Sequence, residues 1–136
     1  MVLLSRVLSH REDETVCTVE IDQQTLLRDR DGSVAAWIGL EYMAQCIAAH
    51  AGLIGRAAGE PPQVGFLLGS RCGSFHTARL RPGQTLAVKA TRIRGKARGM
   101  VSFACSLEDS ATGALLAEGR INCFVPEPGE ALRSRP

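Results

Sequence analysis

A chain of 136 residues is the size of one ordinary domain, long enough to bury a core without disulfide staples. Formal charge is only +2 and aromatics are 4% of residues, so the core must come from Leu, Val, Ala and Ile, and the stacking platforms of a single-strand nucleic-acid binder are missing. The five cysteines, Cys17, Cys46, Cys72, Cys105 and Cys123, are scattered, odd in number and without metal-ligand spacing, which argues against a zinc site or a disulfide framework.

In chain order, residues 2–9 and 14–22 read as two strands separated by the polar turn His10-Arg-Glu-Asp13. The opening Met-Val-Leu-Leu-Ser-Arg has neither the basic lead nor the cleavage site of a signal peptide. Residues 23–36 are polar and then small, with a turn at Asp31-Gly32-Ser33. Residues 37–57 predict one helix, with Leu40, Met43, Ala44, Ile47, Ala48, Ala51 and Ile54 at helical spacing and mostly small residues opposite. A helix apolar nearly all round is expected to be wrapped by other structure. It should stop at Gly59, where Pro61-Pro62 blocks continuation. Glu41, Gln45 and His50 interrupt its apolar run, which makes it a poor membrane span, and the chain reads as cytoplasmic.

Four more strands follow, at about 63–77, 84–95, 99–109 and 113–124. Arg81-Pro82-Gly83, the run 95–99 and the run 109–113 supply turns. The polar, Pro-rich tail 126–136 reads as frayed. The domain is therefore 1–125, an α+β chain whose antiparallel sheet curls around one long central helix.

Two features carry chemistry. Glu41 is the only charged residue between Asp31 and Arg56. A carboxylate in an apolar helix is costly unless paired or protonated, and burial would raise its pKa toward general acid–base use. It is expected at least partly buried beside a narrow apolar pocket; the plain alternative is a carboxylate facing water from one exposed helix edge. The second feature is charge: no acid lies between Glu60 and Glu108, while Arg71, Arg79, Arg81, Lys89, Arg92, Arg94, Lys96 and Arg98 do. Such a block suits an anionic partner, or else a set of solvated strand faces. Of the histidines, His50 lies nine residues beyond Glu41 and so points to the opposite side of the helix, where a packed role is expected. His76 reads as surface or else as a substitute acid–base, and His10 as surface.

The order strand, strand, helix, four strands is that of the hotdog fold. Leu40-Glu41-Tyr42-Met43-Ala44-Gln45 resembles the helix motif of hotdog 3-hydroxyacyl-[acyl carrier protein] dehydratases, whose Glu-x-Met-Ala-Gln carries the catalytic carboxylate. Gly65-Phe-Leu-Leu-Gly69 and Arg81-Pro82-Gly83-Gln84-Thr85-Leu86 resemble the strand and Pro-Gly turn that follow, and Gly113 to Gly119 their last hairpin. The wording from Trp37 to Gln45 is similar to a divergent branch found in part in aryl polyene pathways. Two departures stand out. The usual Gly-His-Phe-Pro is replaced by Leu26-Leu27-Arg28-Asp29, and the Pro-His pair that relatives carry just ahead of this start is not in the chain; Ser5 also stands for an Asp.

The resemblance implies dehydration of a 3-hydroxyacyl thioester to the 2-enoyl thioester in fatty acid or polyene synthesis. The alternatives are a thioesterase or a non-catalytic acyl-carrier-binding subunit. It implies Glu41 as acid–base and Gln45 as its orienting neighbour. The amides from Ala36 through Trp37 to Gly39 would face the thioester oxygen, and Gly39 would admit the substrate to the backbone. Met43, Ile47 and Phe66 would line the acyl slot. Arg71, Arg79, Arg81, Arg92, Arg94 and Arg98 would dock an acidic acyl carrier protein or coenzyme A. No cofactor is implied beyond the phosphopantetheine carrying the substrate, and a homodimer or higher oligomer is expected, with the site between subunits.

Overall fold

The polar turn after His10 closes a hairpin. Arg11 N–H reaches Glu14 O at 2.7 Å and Glu14 N–H returns to Arg11 O at 3.3 Å, joining β1 (Arg6–His10) to β2 (Glu14–Glu20). The computed structural model describes residues 2–60, 67–95 and 99–125, with the backbone alone for 67–72 and 125. The tail from 126 lies outside these residues, as do Phe66, Lys96 and Arg98.

After a loop, the short β3 (Val34–Ala35) leads through a 3-10 turn, Ala36–Ile38, into α1 (Gly39–Ala57). The helix ends with Gly59 at φ +71, a left-handed value that glycine adopts without steric penalty. Then come β4 (Leu67–Phe75), the two-residue β5 (Arg79–Leu80), β6 (Thr85–Arg94), β7 (Gly99–Asp109) and β8 (Leu115–Val125). Gly95 sits at φ +84, and a Cβ there would meet Met100 O at 2.2 Å, so the β6–β7 connection tolerates only glycine at that point.

The long strands form one antiparallel sheet in the order β1-β2-β6-β7-β8-β4, and β3 pairs with β5 apart from it. Alternation sorts the faces. On β7, Val101, Phe103, Cys105 and Leu107 are buried, while Met100 and Ala104 face outward. The cross-strand register carries the same face to Val88 and Ala90 on β6 and to Ile121 and Cys123 on β8. The helix lies against β2, β6 and β7 and turns Gly39, Tyr42, Met43, Cys46, Ile47 and His50 inward. Each fully buried aliphatic chain in this layer, such as Leu86, Leu107 or Ile47, contributes about 1.5–3 kcal/mol of hydrophobic stabilisation.

This is the hotdog arrangement, with both sheet edges, β1 and β4, unpaired among the described residues. The expected apolar stripe is rotated: the residues held against the sheet are Tyr42, Cys46 and His50 with Met43 and Ile47, whereas Ala48 is exposed.

Four cysteines, Cys17, Cys46, Cys105 and Cys123, are free and buried, in keeping with small core residues. Cys46 Sγ donates to Thr15 O and to Val88 O, each at 3.4 Å. Burial pushes the Cys105 thiol up to about 12 and the Cys123 thiol to about 11, so neither is a nucleophile near neutral pH. Among the described residues no helix is long and apolar enough to cross a membrane, and no group of three or more His, Cys, Asp or Glu is placed to hold a metal ion.

Candidate active site on the outer face of the helix

Glu41 lies in the first turn of α1, on the face turned away from the sheet. Against expectation it is exposed in the single chain. The reason is angular: the buried positions 39, 42, 43, 46, 47 and 50 cluster on one side at 100° per residue, and Glu41 falls opposite their centre. Trp37, one turn earlier, is 65% exposed, an unusual state for the largest apolar side chain in the sequence.

Gln45 is placed as an orienting residue should be. Its Nε2 donates to Glu41 Oε1 at 3.3 Å, and its Oε1 accepts the Leu3 N–H at 2.7 Å. The amide therefore cannot flip without losing both bonds, and the lead-in to β1 fixes it against the helix. That link was not legible beforehand, since nothing in a strand pattern assigns the backbone of residue 3 to a helix side chain.

The remaining substrate residues part company. Met43 and Ile47, at 0% and 1% exposure, belong to the core and line no open slot. Gly39 is buried too, and a Cβ there would sit 3.1 Å from Leu107 Cδ2; its bareness serves helix–sheet contact rather than substrate approach. The Ala36 N–H is spent on Ala78 O at 3.0 Å, and the Gly39 N–H bonds back to Ala36 O and Trp37 O, so two of the four expected oxyanion donors are taken. Phe66 lies outside the described residues.

An open cavity of about 230 Å³ lies against the lead-in segment and does not include Glu41. Its walls include Leu3, Ser5, Glu20, Asp22, Leu26 and Tyr42, and are largely polar. Tyr42 is buried, and its hydroxyl has no partner among the described residues. Burial pushes that phenol upward, so it stays protonated.

The region that stands for Gly-His-Phe-Pro is a surface loop. Leu26 and Leu27 are both exposed, and Leu27 holds φ at +67, a left-handed value that costs a leucine conformational energy. Arg79 anchors this loop: its guanidinium pairs with Asp29, donates from Nε to Ser33 Oγ at 2.9 Å and lies 4.0 Å from Asp31. The Ser33 hydroxyl and amide, bonded to Asp31 Oδ1, hold the Asp31 carboxyl below its usual range. Arg79 is therefore a structural bolt and not part of a free docking surface.

Among the described side chains the other candidate arginines fall at two separate places. Arg81 is exposed at the β5 end, whereas half-buried Arg92 and exposed Arg94 occupy the far end of β6. Arg71 lies at the irregularity in β4 between Ser70 and Cys72, where the backbone alone is described, and Arg98 lies outside the described residues.

The histidines fall as follows. His50 is buried on the side opposite Glu41, as the nine-residue spacing requires. His76 is exposed, with Nε2 3.6 Å from Glu118 Oε2. His10 is exposed, yet its Nδ1 bonds Thr15 Oγ1 at 2.7 Å.

The sequence profile of the ApeP-like family, described as ApeP dehydratase, matches residues 1–133. No functionally curated protein matches the chain. Solved structures share the fold. One chain of the dehydratase heterocomplex ApeI:P from Xenorhabdus doucetiae is 23% identical, superposes with a TM-score of 0.85 and covers 97% of this chain and 88% of its own. Zebrafish thioesterase superfamily member 2 is 17% identical, with a TM-score of 0.63 over 88% of this chain and 79% of its own. The smu.793 protein of Streptococcus mutans UA159, solved with acetyl CoA, is 15% identical, with a TM-score of 0.60 over 88% and 86%.

Proposed function

Given that the chain belongs to the ApeP-like dehydratase family, we propose that it is an acyl-thioester dehydratase subunit that converts 3-hydroxyacyl-[acyl carrier protein] to the 2-enoyl thioester, with Glu41 as its acid–base residue. The observation that carries this reading is the relay Leu3 N–H to Gln45 Oε1 and Gln45 Nε2 to Glu41 Oε1, which holds one carboxylate in a set direction on an otherwise apolar face.

The elimination needs a base for the α-proton, an acid for the departing β-hydroxyl and donors to the thioester oxygen. The Cα–H and Cβ–O bonds break, the Cα=Cβ bond forms and the protonated hydroxyl leaves as water, with the acyl group arriving on phosphopantetheine. One carboxylate does not fill all the roles. His50 points away from it and His76 is tied to Glu118, so no described histidine of the same chain stands beside Glu41. The second group then comes from a partner chain that covers Trp37 and Glu41 and pairs with a free sheet edge. The ApeI:P structure is a heterocomplex, which supports a partner of this kind, either a second copy or a related hotdog chain. Covering the face would also desolvate Glu41 and supply the burial that acid–base use requires. Of the candidate docking arginines whose side chains are described, Arg81 and Arg94 are the exposed ones outside the Arg79 bolt.

The thioesterase reading draws support from the thioesterase structures that share the fold. A non-catalytic carrier-binding subunit draws support from Leu26-Leu27-Arg28-Asp29 in place of the histidine motif. Incubation with 3-hydroxyacyl and enoyl carrier thioesters, alone and with a candidate partner, separates the three by mass spectrometry. Loss or gain of water means dehydratase, free acid means thioesterase, and unchanged thioester with measurable binding means a carrier-binding subunit.

A further inference from the structure

His50 is 3% exposed and projects from α1 toward the β1–β2 hairpin. Its Nδ1 lies 2.8 Å from Thr15 Oγ1, and that oxygen lies 2.7 Å from His10 Nδ1. The two imidazole centroids are 5.3 Å apart, and Phe103 of β7 presents its ring edge-on to His50 at 5.6 Å. The His50 Nε2 has no partner among the described residues. Helix, β2 and the end of β1 are thus joined by one hydroxyl between two imidazoles.

The proton count of this chain is restrictive. Thr15 has a single hydroxyl proton, so it donates to one Nδ1 and must accept from the other. With both rings neutral, one imidazole carries its proton on Nδ1 and the other on Nε2. One added proton is still accommodated: the protonated ring donates its Nδ1–H to Thr15 Oγ1, and Thr15 donates to the other Nδ1. A second added proton leaves both Nδ1–H groups aimed at one oxygen, the hydroxyl proton without an acceptor, and two cations in adjacent rings.

We propose that His10, Thr15 and His50 form an acid-sensitive latch that holds the β1–β2 hairpin on α1 and is released when both imidazoles are protonated. The lead-in to β1 carries Leu3, whose N–H fixes Gln45 and through it Glu41. Release would reach that pair only through the length of β1, a consequence that rests on the Glu41 reading, whereas the latch itself does not.

The charged and polar groups around His50 act in one direction on balance. Burial is the largest influence against its protonation, followed by His10 on β1 and Arg92 on β6; Asp13 and the Glu12 carbonyl in the hairpin turn favour it. The result is an imidazole held below its ordinary value of 6.5. His50 therefore takes up its proton at a lower pH than a free histidine does.

The test is ring-nitrogen NMR titration of the full chain together with amide-exchange protection of residues 6–10, for wild type, Thr15→Val and His50→Asn. His50→Asn retains a hydrogen-bonding group toward Thr15 without a titrating one. In wild type, His50 should keep one fixed neutral tautomer at pH 6.5, and β1 protection should drop about tenfold as His50 titrates below it. Thr15→Val should lower β1 protection at every pH, and His50→Asn should abolish its pH dependence. A wild-type His50 titrating like a free histidine with β1 protection unchanged overturns the latch. So does the same fall of protection with pH in His50→Asn as in wild type, a result that needs no folded Thr15→Val. Full turnover by Glu41→Gln would remove the link to the site and leave these signals in place.

Discussion

Replacing Gln45 by alanine separates the two tasks its amide performs. The Leu3 N–H to Gln45 bond is short, 2.7 Å, and partly shielded from water; the Gln45 to Glu41 bond is longer, 3.3 Å, and exposed. A hydrogen bond of the first kind contributes about 0.5–1.5 kcal/mol net, whereas a surface substitution such as Glu41→Gln stays within about 0.5 kcal/mol. Gln45→Ala should therefore lose about 1 kcal/mol, equivalent to roughly 3–5 °C in a domain of this size. Glu41→Gln should leave the midpoint unchanged, without the gain that removing a buried charge would have produced. Turnover should run in the opposite order. Glu41→Gln removes the acid–base and should cost about 100-fold or more, while Gln45→Ala only loosens it and should cost about tenfold. Urea midpoints and dehydration of a 3-hydroxyacyl thioester by mass spectrometry measure both quantities. Equal stability of the two variants, or wild-type turnover by Glu41→Gln, would show that the relay does not orient a catalytic carboxylate.

Gly39→Ala should destabilise by about 1 kcal/mol despite the better helix former, because the new Cβ meets fully buried Leu107 at 3.1 Å; a rise in melting temperature would refute this packing account. Arg79→Met should speed amide exchange across 22–33 while leaving carrier turnover at low salt unaltered, whereas Arg81→Glu with Arg94→Glu should slow carrier turnover and spare a short pantetheine thioester; equal losses on both substrates would make those two arginines structural. Asp31 and Asp109 are both held below the ordinary 3.8, Asp31 chiefly by the Ser33 hydroxyl and Asp109 chiefly by the Ala111 amide, so each stabilises the fold above about pH 4, and that contribution disappears as pH falls through their own lower values. Carboxyl NMR titration in Asp31→Asn and Asp109→Asn backgrounds checks this, and a free-peptide midpoint in wild type would contradict it.

The order of the six long strands and the helix was readable because the strand segments alternate or run apolar, are rich in β-formers and are bounded by turn residues, and the helix 37–57 differs from the observed 3-10 turn plus α1 only in its first residue. The β3–β5 pair was not readable. Two residues a side, Val34 with Leu80 and Ala35 with Arg79, are too few to show alternation. The start of β1 was also misplaced, at 2 rather than Arg6, since residues 2–5 are apolar enough to look like strand while Leu3 turns its amide to Gln45. Helix orientation failed for a definite reason. With Leu, Ala, Ile and Gly on every side, hydrophobicity leaves the buried face undetermined, and hydrogen bonds decide it: Cys46 to two strand carbonyls and His50 to Thr15. Cys46 and His50 thus join Tyr42, Met43 and Ile47 on the inner face, whereas Glu41, expected at least partly buried, lies outside.

That inversion bears on what the outer face is for. A helix on the surface of a monomer normally shows polar residues to water. Here the outward positions carry Trp37, Ala48 and Gly52 together with Glu41, which is poor solvation for a face with one charge on it. The same face borders the hydrogen bond by which the lead-in to β1 holds Gln45. A partner resting there would desolvate Glu41, cover Trp37 and bring in the second proton-transfer group that the chain's own described histidines do not place. Light scattering at micromolar concentration with Trp37→Lys tests that step. The substitution should leave the fold intact, dissociate the assembly and abolish turnover together. A variant that stays assembled and active would leave Trp37 on an ordinary solvent face and remove the partner from the mechanism.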